Sequence, residues 1–206
     1  MCNIIINPVS ITGHMDIVLD VIVAVLRAVW LMVPMLIPNS AAVLFGGGPA
    51  MDFGKKMKDG RRILGDGKTW LGTLGGTLTG VVIGIIQVII MNFLDMPDWT
   101  VNPDIIQALP ILFLLAFGSM LGDMLGSFIK RRSGKKRGAK FPVLDQYDFF
   151  IGAMILIIPL QWAWFYDNFI DGIYLAGLVG LIILIPLMHR SVNIIGFKMG
   201  KKDVPW

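Results

Sequence analysis

The chain has 206 residues, 55% of them hydrophobic and 16% charged, with a mean hydropathy of +0.73, too oily for a soluble globular domain. Its net charge of +4 points to anionic partners, phosphates and a bilayer surface rather than nucleic acid. Every acidic residue is Asp, the sole cysteine is Cys2, and the only histidines are His14 and His189, so an internal disulfide and a cysteine zinc site are excluded and an all-protein zinc centre has little support.

Five stretches are long and apolar enough to cross a bilayer, a task that takes about 20 residues: 17–44, 70–94, 105–129, 147–166 and 170–188. No Lys or Arg precedes Arg27, and the first run outlasts the apolar core of a signal peptide, so it is expected to remain in the membrane. Within it, Pro34 and Pro38 should kink or end the helix near Asn39 and Ser40 and leave polar backbone at the membrane edge. No polar linker separates two cores, so residues 1–206 read as one all-α transmembrane domain.

Every Lys and Arg except Arg27 falls in the loop after the first span, the loop after the third, or the C-terminal tail. The two opposite connections hold only Asp95, Asp98 and Asp104, and Asp167 and Asp171. Basic residues are retained on the cytoplasmic side, which predicts an outside N-terminus, a cytoplasmic C-terminus and a multi-pass protein of the cell membrane. Gly72, Gly76, Gly80 and Gly84 in the second span, and Gly118, Gly122 and Gly126 in the third, form single-face rows for close helix packing. They are expected to bring together the cytoplasmic ends of these two helices.

The first cytoplasmic loop interleaves Gly46, Gly47, Gly48, Gly60, Gly65 and Gly67 with cations. Glycine lets backbone N–H groups approach an anion, and the loop feeds a helix N-terminus that favours negative charge. Arg62, Gly65, Asp66, Gly67, Lys68 and Thr69 are therefore candidates for binding substrate phosphates, whereas Lys55, Lys56 and Lys58 read as headgroup-facing charges. Gly65-Asp66-Gly67-Lys68-Thr69 is no Walker loop, because Arg62 occupies the required glycine position and no strand precedes it.

The third span carries Asp123 among apolar residues, a costly position that is usually functional or paired. Ser127 and Lys130 follow on its face, and a structural pair of Asp123 with Lys130 or a loop arginine is the bland alternative. Asp145 and Asp148 stand three residues apart at the mouth of the fourth span, where both carboxylates can face one point and supply the protein's share of a Mg²⁺ site. Helix capping alone would also favour Asp there. Glycine-rich backbone, cations and aspartates at one membrane surface suit phosphoryl or nucleotidyl transfer. No Ser-His-Asp or Cys-His set supports a covalent route.

Ser127-Phe128-Ile129-Lys130-Arg131, preceded by Gly122-Asp123 and followed by Pro142 and Asp145-Gln146-Tyr147-Asp148, resembles the signature of phosphatidate cytidylyltransferases. With PNS, LFGGG, DFG, DGRRILGDGKT and GAKFPVLDQYDF, residues 37–150 resemble the archaeal branch of that superfamily, the CDP-archaeol synthases. Lys136-Arg137 stands where the bacterial signature has Lys-Asp, so one expected carboxylate is missing. Either Asp123 takes its place, or Asp145 and Asp148 hold the metal with phosphate oxygens alone.

The resemblance implies transfer from CTP to 2,3-bis-(geranylgeranyl)-glycerol phosphate, a prenyl ether lipid phosphate, giving CDP-archaeol and pyrophosphate with Mg²⁺. Asp123, Asp145 and Asp148 would hold the metal and, with Lys68, form the catalytic set; Lys68, Thr69, Ser127, Lys130 and Arg131 would bind phosphates, and Asn39, by its position alone and not by the resemblance, is the candidate for reading the cytosine edge. Two rivals remain on the residues alone: the same chemistry on a diacyl phosphatidic acid, and a small transporter built around Asp123. The Asp-Gly-x-x-Ala-Arg motif of CDP-alcohol phosphotransferases is absent, since Asp59-Gly60 runs into Arg61-Arg62. Nothing in the sequence fixes the oligomeric state.

Overall fold

The computed structural model describes residues 14–135, 141 and 143–200. Cys2, Lys136, Arg137, Lys140, Pro142, Lys201 and Lys202 lie outside them. The described residues are mainly helical, with one long folded loop between residues 45 and 69 and shorter connections elsewhere. Three helices are each long and apolar enough to span a bilayer: α4 (Trp70–Phe93), α5 (Ile105–Arg132) and α8 (Tyr174–Lys198).

The first predicted span is three helices, α1 (His14–Leu31), α2 (Val33–Leu36) and α3 (Pro38–Leu44), interrupted at Met32 and Ile37. The prolines do break it, but each sits in the first turn of the next piece, where a missing N–H leaves no intrahelical bond unmade. Asn39 and Ser40 consequently lie inside α3 instead of at an exposed end. The fourth span also differs from the expected 147–166. Helix α6 (Leu144–Leu160) stops just after Pro159, and α7 (Trp162–Phe169) departs from it at 116°. Pro159 withholds an N–H from the last turn, and the chain turns at Gln161.

The glycine rows each have a backbone partner, but the two rows do not meet one another. Along α4, a Cβ on Gly72, Gly76 or Gly80 would come within 3.2, 2.6 and 2.6 Å of the carbonyl oxygens of Ala42, Pro38 and Pro34 respectively, so α2 and α3 run antiparallel against this face. Helix α5 offers Leu112, Ala116 and Met120 to α4, and turns its own glycines to α6. A Cβ on Gly118 would stand 2.6 Å from the Ala153 Cα, one on Gly122 would overlap the Asp148 carbonyl oxygen, and one on Gly126 would lie 2.6 Å from the Asp148 carboxylate. Small residues are what allow such approach in lipid, where dispersion and shape replace a hydrophobic drive.

Leu31, Met32, Met35, Leu112, Leu115, Ile157, Phe169 and Leu181 fill the bundle interior, while Ile17, Leu19, Leu78 and Ile183 are among many apolar side chains left on the outer surface, as expected of a chain solvated by lipid. Arg27 is the one cation of the described residues remote from the basic surface. It is buried against the aspartate-bearing end, donating to the Asp98 carbonyl at 2.7 Å and to Asn168 Oδ1 at 2.5 Å, with its guanidinium 4.3 Å from the Tyr174 ring. It ties α1 to α7, to α8 and to the 3₁₀ turn Pro97–Trp99.

Because Gly122 leaves no room for a methyl group, Gly122→Ala is expected to lower unfolding stability in detergent by about 1–3 kcal/mol, as overpacking does. Ile183→Ala on the outer surface should change it far less. Thermal unfolding of the two purified variants beside the parent protein checks both.

Candidate active site

The site forms where the loop between α3 and α4 folds over the basic end of α5. That loop is an irregular hairpin: Ala50 pairs with Thr69 and Lys56 with Arg62, and the Met51 N–H donates to the Lys68 carbonyl at 2.8 Å. Thr69 caps α4 by accepting from the Gly72 N–H at 3.1 Å. Gly65 has φ +100, in the region that favours glycine, and there the chain reverses toward Lys68.

Asp52 organises the hairpin. It is 5% exposed and accepts from the N–H groups of Leu64 and Gly65 at 3.0 Å each and of Gly54 at 3.2 Å. The Arg62 guanidinium reaches it twice, at 2.5 and 3.1 Å, and also donates to Asp66 at 2.7 Å. The Arg62 hydrogen bonds, helped by these backbone donors and opposed by burial, hold the Asp52 carboxyl well below the usual carboxylate range. The same contact raises the pKa of Arg62 above its ordinary value. A second tie crosses to α5: Arg132 donates to both carboxylate oxygens of Asp59 at 2.8 Å and to the Arg62 carbonyl at 2.6 Å, while Arg61 donates to the Arg132 carbonyl at 2.8 Å.

Lys68 forms an ion pair with Asp123. The structural partner of Asp123 is thus the loop lysine, not Lys130, which pairs with Asp145 at 2.5 Å. Asp145 also accepts from the Phe141 N–H at 2.9 Å. Asp148 is buried over Gly126, accepts from its own neighbour's Phe149 N–H at 2.7 Å, and lies within electrostatic reach of Asp123, Lys68 and Lys130. Tyr147 does more than shape a turn, since its hydroxyl donates to the Ile182 carbonyl and fastens α6 to α8.

Among the described residues no three carboxylate or imidazole side chains converge, so Asp123, Asp145 and Asp148 do not form a single ligand cluster. Asp148 packs on Gly122 and Gly126, which flank Asp123 in α5, and two oxygen donors completed by phosphate oxygens and water suit a hard, octahedral cation such as Mg²⁺.

Two polar cavities share Asp66, Gly67, Lys68 and Asp123. One, of about 470 Å³, is lined by cations including Arg61, Lys130, Arg131 and Lys135, together with Ser127. The other, of about 340 Å³, is lined by Asn39, Gly46, Gly47, Thr69 and Thr73. The Asn39 Oδ1 and the Arg131 Nε are buried without a hydrogen-bond partner among the described residues. A third cavity of about 600 Å³ is almost wholly apolar and runs between α4 and α5 past Trp70, Leu78, Phe113, Phe117 and Met124.

A family model described as CarS-like, CDP-archaeol synthase, matches residues 18–206. The chain belongs to the CDP-archaeol synthase family. The CDP-archaeol synthase of Methanocorpusculum labreanum is 45% identical over 181 residues, covering 85% of this chain and 100% of that protein. That of Picrophilus torridus is 43% identical over 188 residues, covering 90% and 98%. A solved intramembrane enzyme of archaeal membrane lipid biosynthesis superposes with a TM-score of 0.61 at 33% identity, over 82% of this chain and 94% of that one.

In this member of the CDP-archaeol synthases, Gly65, Asp66, Gly67, Lys68, Thr69, Asn39, Ser127, Lys130 and Arg131 gather as the sequence reading places them, around the two polar cavities. Arg62 borders the larger cavity but has its guanidinium committed to Asp52 and Asp66. Asp52 and the Asp59–Arg132 tie escaped that reading, because their partners are remote in sequence. The only local sign was an aspartate just after the triple glycine.

The Lys68–Asp123 pair is half-buried, so removing one partner strands the other. Lys68→Met and Asp123→Asn are each expected to destabilise the protein, and the double variant to be less destabilised than their sum, with a coupling of about 1–3 kcal/mol. Unfolding of the four proteins in one detergent measures it. For Asp52, a depressed folded pKa means its contribution is complete above the unfolded carboxylate pKa and is lost as pH falls through the lower folded value. Amide protection at residues 64 and 65 should therefore hold from pH 7 down to about pH 5 once intrinsic exchange is corrected.

Proposed function

We propose that this protein transfers the cytidylyl group of CTP to 2,3-bis-(geranylgeranyl)-glycerol phosphate, forming CDP-archaeol and pyrophosphate. The observation that carries this reading is the adjacency of a cationic cavity at the membrane surface to an apolar groove between α4 and α5, with Asp123 on the wall of one and Met124 on the wall of the other. A nucleoside triphosphate suits the first and a prenyl chain the second. Membership of the family supplies the two substrates.

A lipid phosphate monoester has a second pKa of about 6 and is largely a dianion at neutral pH, so it attacks without a strong general base. Its oxygen forms a new bond to the α-phosphorus, and the bond from that phosphorus to the bridging oxygen of the β-phosphate breaks, releasing pyrophosphate. Positioning and charge neutralisation then dominate. Lys68, Lys130 and Arg131 exchange their present partners for phosphate oxygens, and the N–H group of Gly67 adds a neutral donor. Ser127 lines the same chamber. The unpartnered Asn39 oxygen favours the smaller chamber for the base, where it accepts from an exocyclic amine. Mg²⁺, when bound, would be held by Asp123 and Asp148 and would neutralise charge on the triphosphate; Asp145 serves to orient Lys130.

The same reading takes the first three helices as one broken span, α4, α5 and α8 as three more, and α6 as the fifth. At 17 residues α6 is about 26 Å long, close to a hydrocarbon thickness. The bent α7 then lies at the far interface, where Trp162, Trp164 and Tyr166 suit an aromatic belt. The basic loops support a cytoplasmic catalytic face and C-terminus, with the N-terminus outside.

Purified protein with Mg²⁺ and the ether lipid phosphate should release pyrophosphate from CTP but not from ATP. Diacyl phosphatidic acid should compete poorly, and a preference for it would reassign the lipid. Asp148→Asn should lower kcat/KM by about 10³-fold or more while the protein stays folded and membrane-inserted, a loss expected of a group acting at the transferring phosphorus. Retained turnover would remove Asp148 from the mechanism.

A further inference from the structure

Arg62 presents a puzzle as a phosphate ligand. Its guanidinium lies beside the cationic cavity, yet Nε and Nη2 are spent on Asp52 and Nη1 on Asp66. The planar fork is well suited to such bidentate pairing, and drawing it away would leave a buried carboxylate without its main partner. Asp52 in turn touches neither cavity. Its contacts nevertheless end on the Leu64 and Gly65 N–H groups, at the start of the turn that lines both. The adjacent Met51 N–H holds the Lys68 carbonyl at the end of that turn. The turn is thus clamped at both ends by one short segment, residues 51 and 52, and Lys68 is delivered to Asp123 from a fixed backbone.

We propose that Asp52 is a positioning residue for nucleotide binding: through Arg62 and the backbone of Leu64 and Gly65 it fixes the Gly65–Lys68 turn in the shape that receives the triphosphate. Arg62 is the fork of this brace, and not a phosphate contact. Removing the Asp52 charge frees the turn, so the nucleotide must order it on binding. The loss therefore falls on CTP affinity more than on the chemical step or on the lipid, whose groove lies between α4 and α5. The inference rests on the nucleotidyl-transfer reading of the site, but its backbone part does not.

The test uses the full-length protein in detergent or nanodiscs, with Asp52→Asn, Asp52→Glu and Arg62→Lys. For Asp52→Asn the expected result is a rise of about tenfold or more in KM for CTP, with kcat at saturating CTP within about threefold and KM for the lipid phosphate unchanged. Asp52→Glu should recover part of the CTP affinity. A general folding defect would instead lower the active fraction and kcat and leave KM alone. Hydrogen exchange over residues 63–68, read without any substrate, should show faster exchange at the Leu64 and Gly65 amides in Asp52→Asn. If that variant does not fold, Arg62→Lys carries the same two expectations, with KM for CTP up about fivefold.

A KM for CTP within about twofold of the parent in Asp52→Asn, or unchanged amide protection, overturns the proposal. If Arg62→Lys weakens CTP while Asp52→Asn does not, Arg62 is a phosphate contact and the brace is wrong. Should the parent protein itself release no pyrophosphate from CTP, the functional reading fails. Hydrogen exchange then still decides whether Asp52 holds the turn.

Discussion

The contact between α5 and α6 sets the geometry of everything on the basic surface. With Gly118, Gly122 and Gly126 on one side and Asp148, Gly152 and Ala153 on the other, the two helices meet backbone to backbone. Only the Asp148 side chain, seated on Gly126, enters this seam, so little lets the helices slide or rotate. Asp123 and Ser127 project from the same stretch of α5, and Asp145 and Asp148 from the facing stretch of α6, so their separation is fixed by main-chain contact rather than by side-chain packing. The glycines therefore act as a ruler for the carboxylates. The second row, on α4, does the same for α3 and brings Asn39 beside the Lys68 turn.

The opposite end of the bundle is held by different means. There Arg27 joins α1 to α7 and α8, the Trp30 indole donates to the Trp99 carbonyl at 2.9 Å, and the Trp164 indole donates to the Val101 carbonyl at 2.8 Å. These are polar links between aromatic side chains and connecting turns. They tie the ends of the helices together, whereas the basic end is held by the hairpin's own ion pairs with α5. Burying Arg27 is tolerable because its N–H groups find carbonyl and amide oxygens and its face finds a ring.

Hydropathy and charge made the helices α4 and α5 legible to within a few residues, because a run of lipid-facing side chains needs no tertiary information; α8 starts four residues later than expected and runs ten residues beyond the expected 188, to Lys198, since its last turns are more polar than a lipid-facing run. The break of the first span was legible from Pro34 and Pro38, though not its position, since proline is as comfortable in a first turn as it is disruptive later. The bend at Gln161 was hidden: apolar residues continue on both sides of it, and only Pro159 hinted at a stop. At the site, residue types, glycine spacing and the motif resemblance singled out Lys68, Asp123 and Asp148, and position alone singled out Asn39; the fold gathers Asn39, Lys68 and Asp123 around the polar cavities. The pairing of those residues was not readable, because Lys68 meets Asp123 across 55 positions and Asp52 meets Arg62 across a hairpin whose register depends on the loop as a whole. That the candidate phosphate ligand Arg62 pairs with Asp52 and Asp66 could not be seen by counting charges without their partners.

One consequence concerns the bilayer itself. On the proposed reading the basic surface would face a dense array of phosphodiester headgroups, each a candidate occupant for any unsatisfied lysine. Here Lys68 and Lys130 are already satisfied by Asp123 and Asp145, so an incoming anion must displace a carboxylate before it gains anything. A singly charged diester offers no more charge than the carboxylate it would replace, whereas a monoester dianion or a triphosphate offers more. On that reading the resting pairs would act as a filter, keeping the pocket clear of the abundant finished lipids around it and open to scarce, more highly charged precursors.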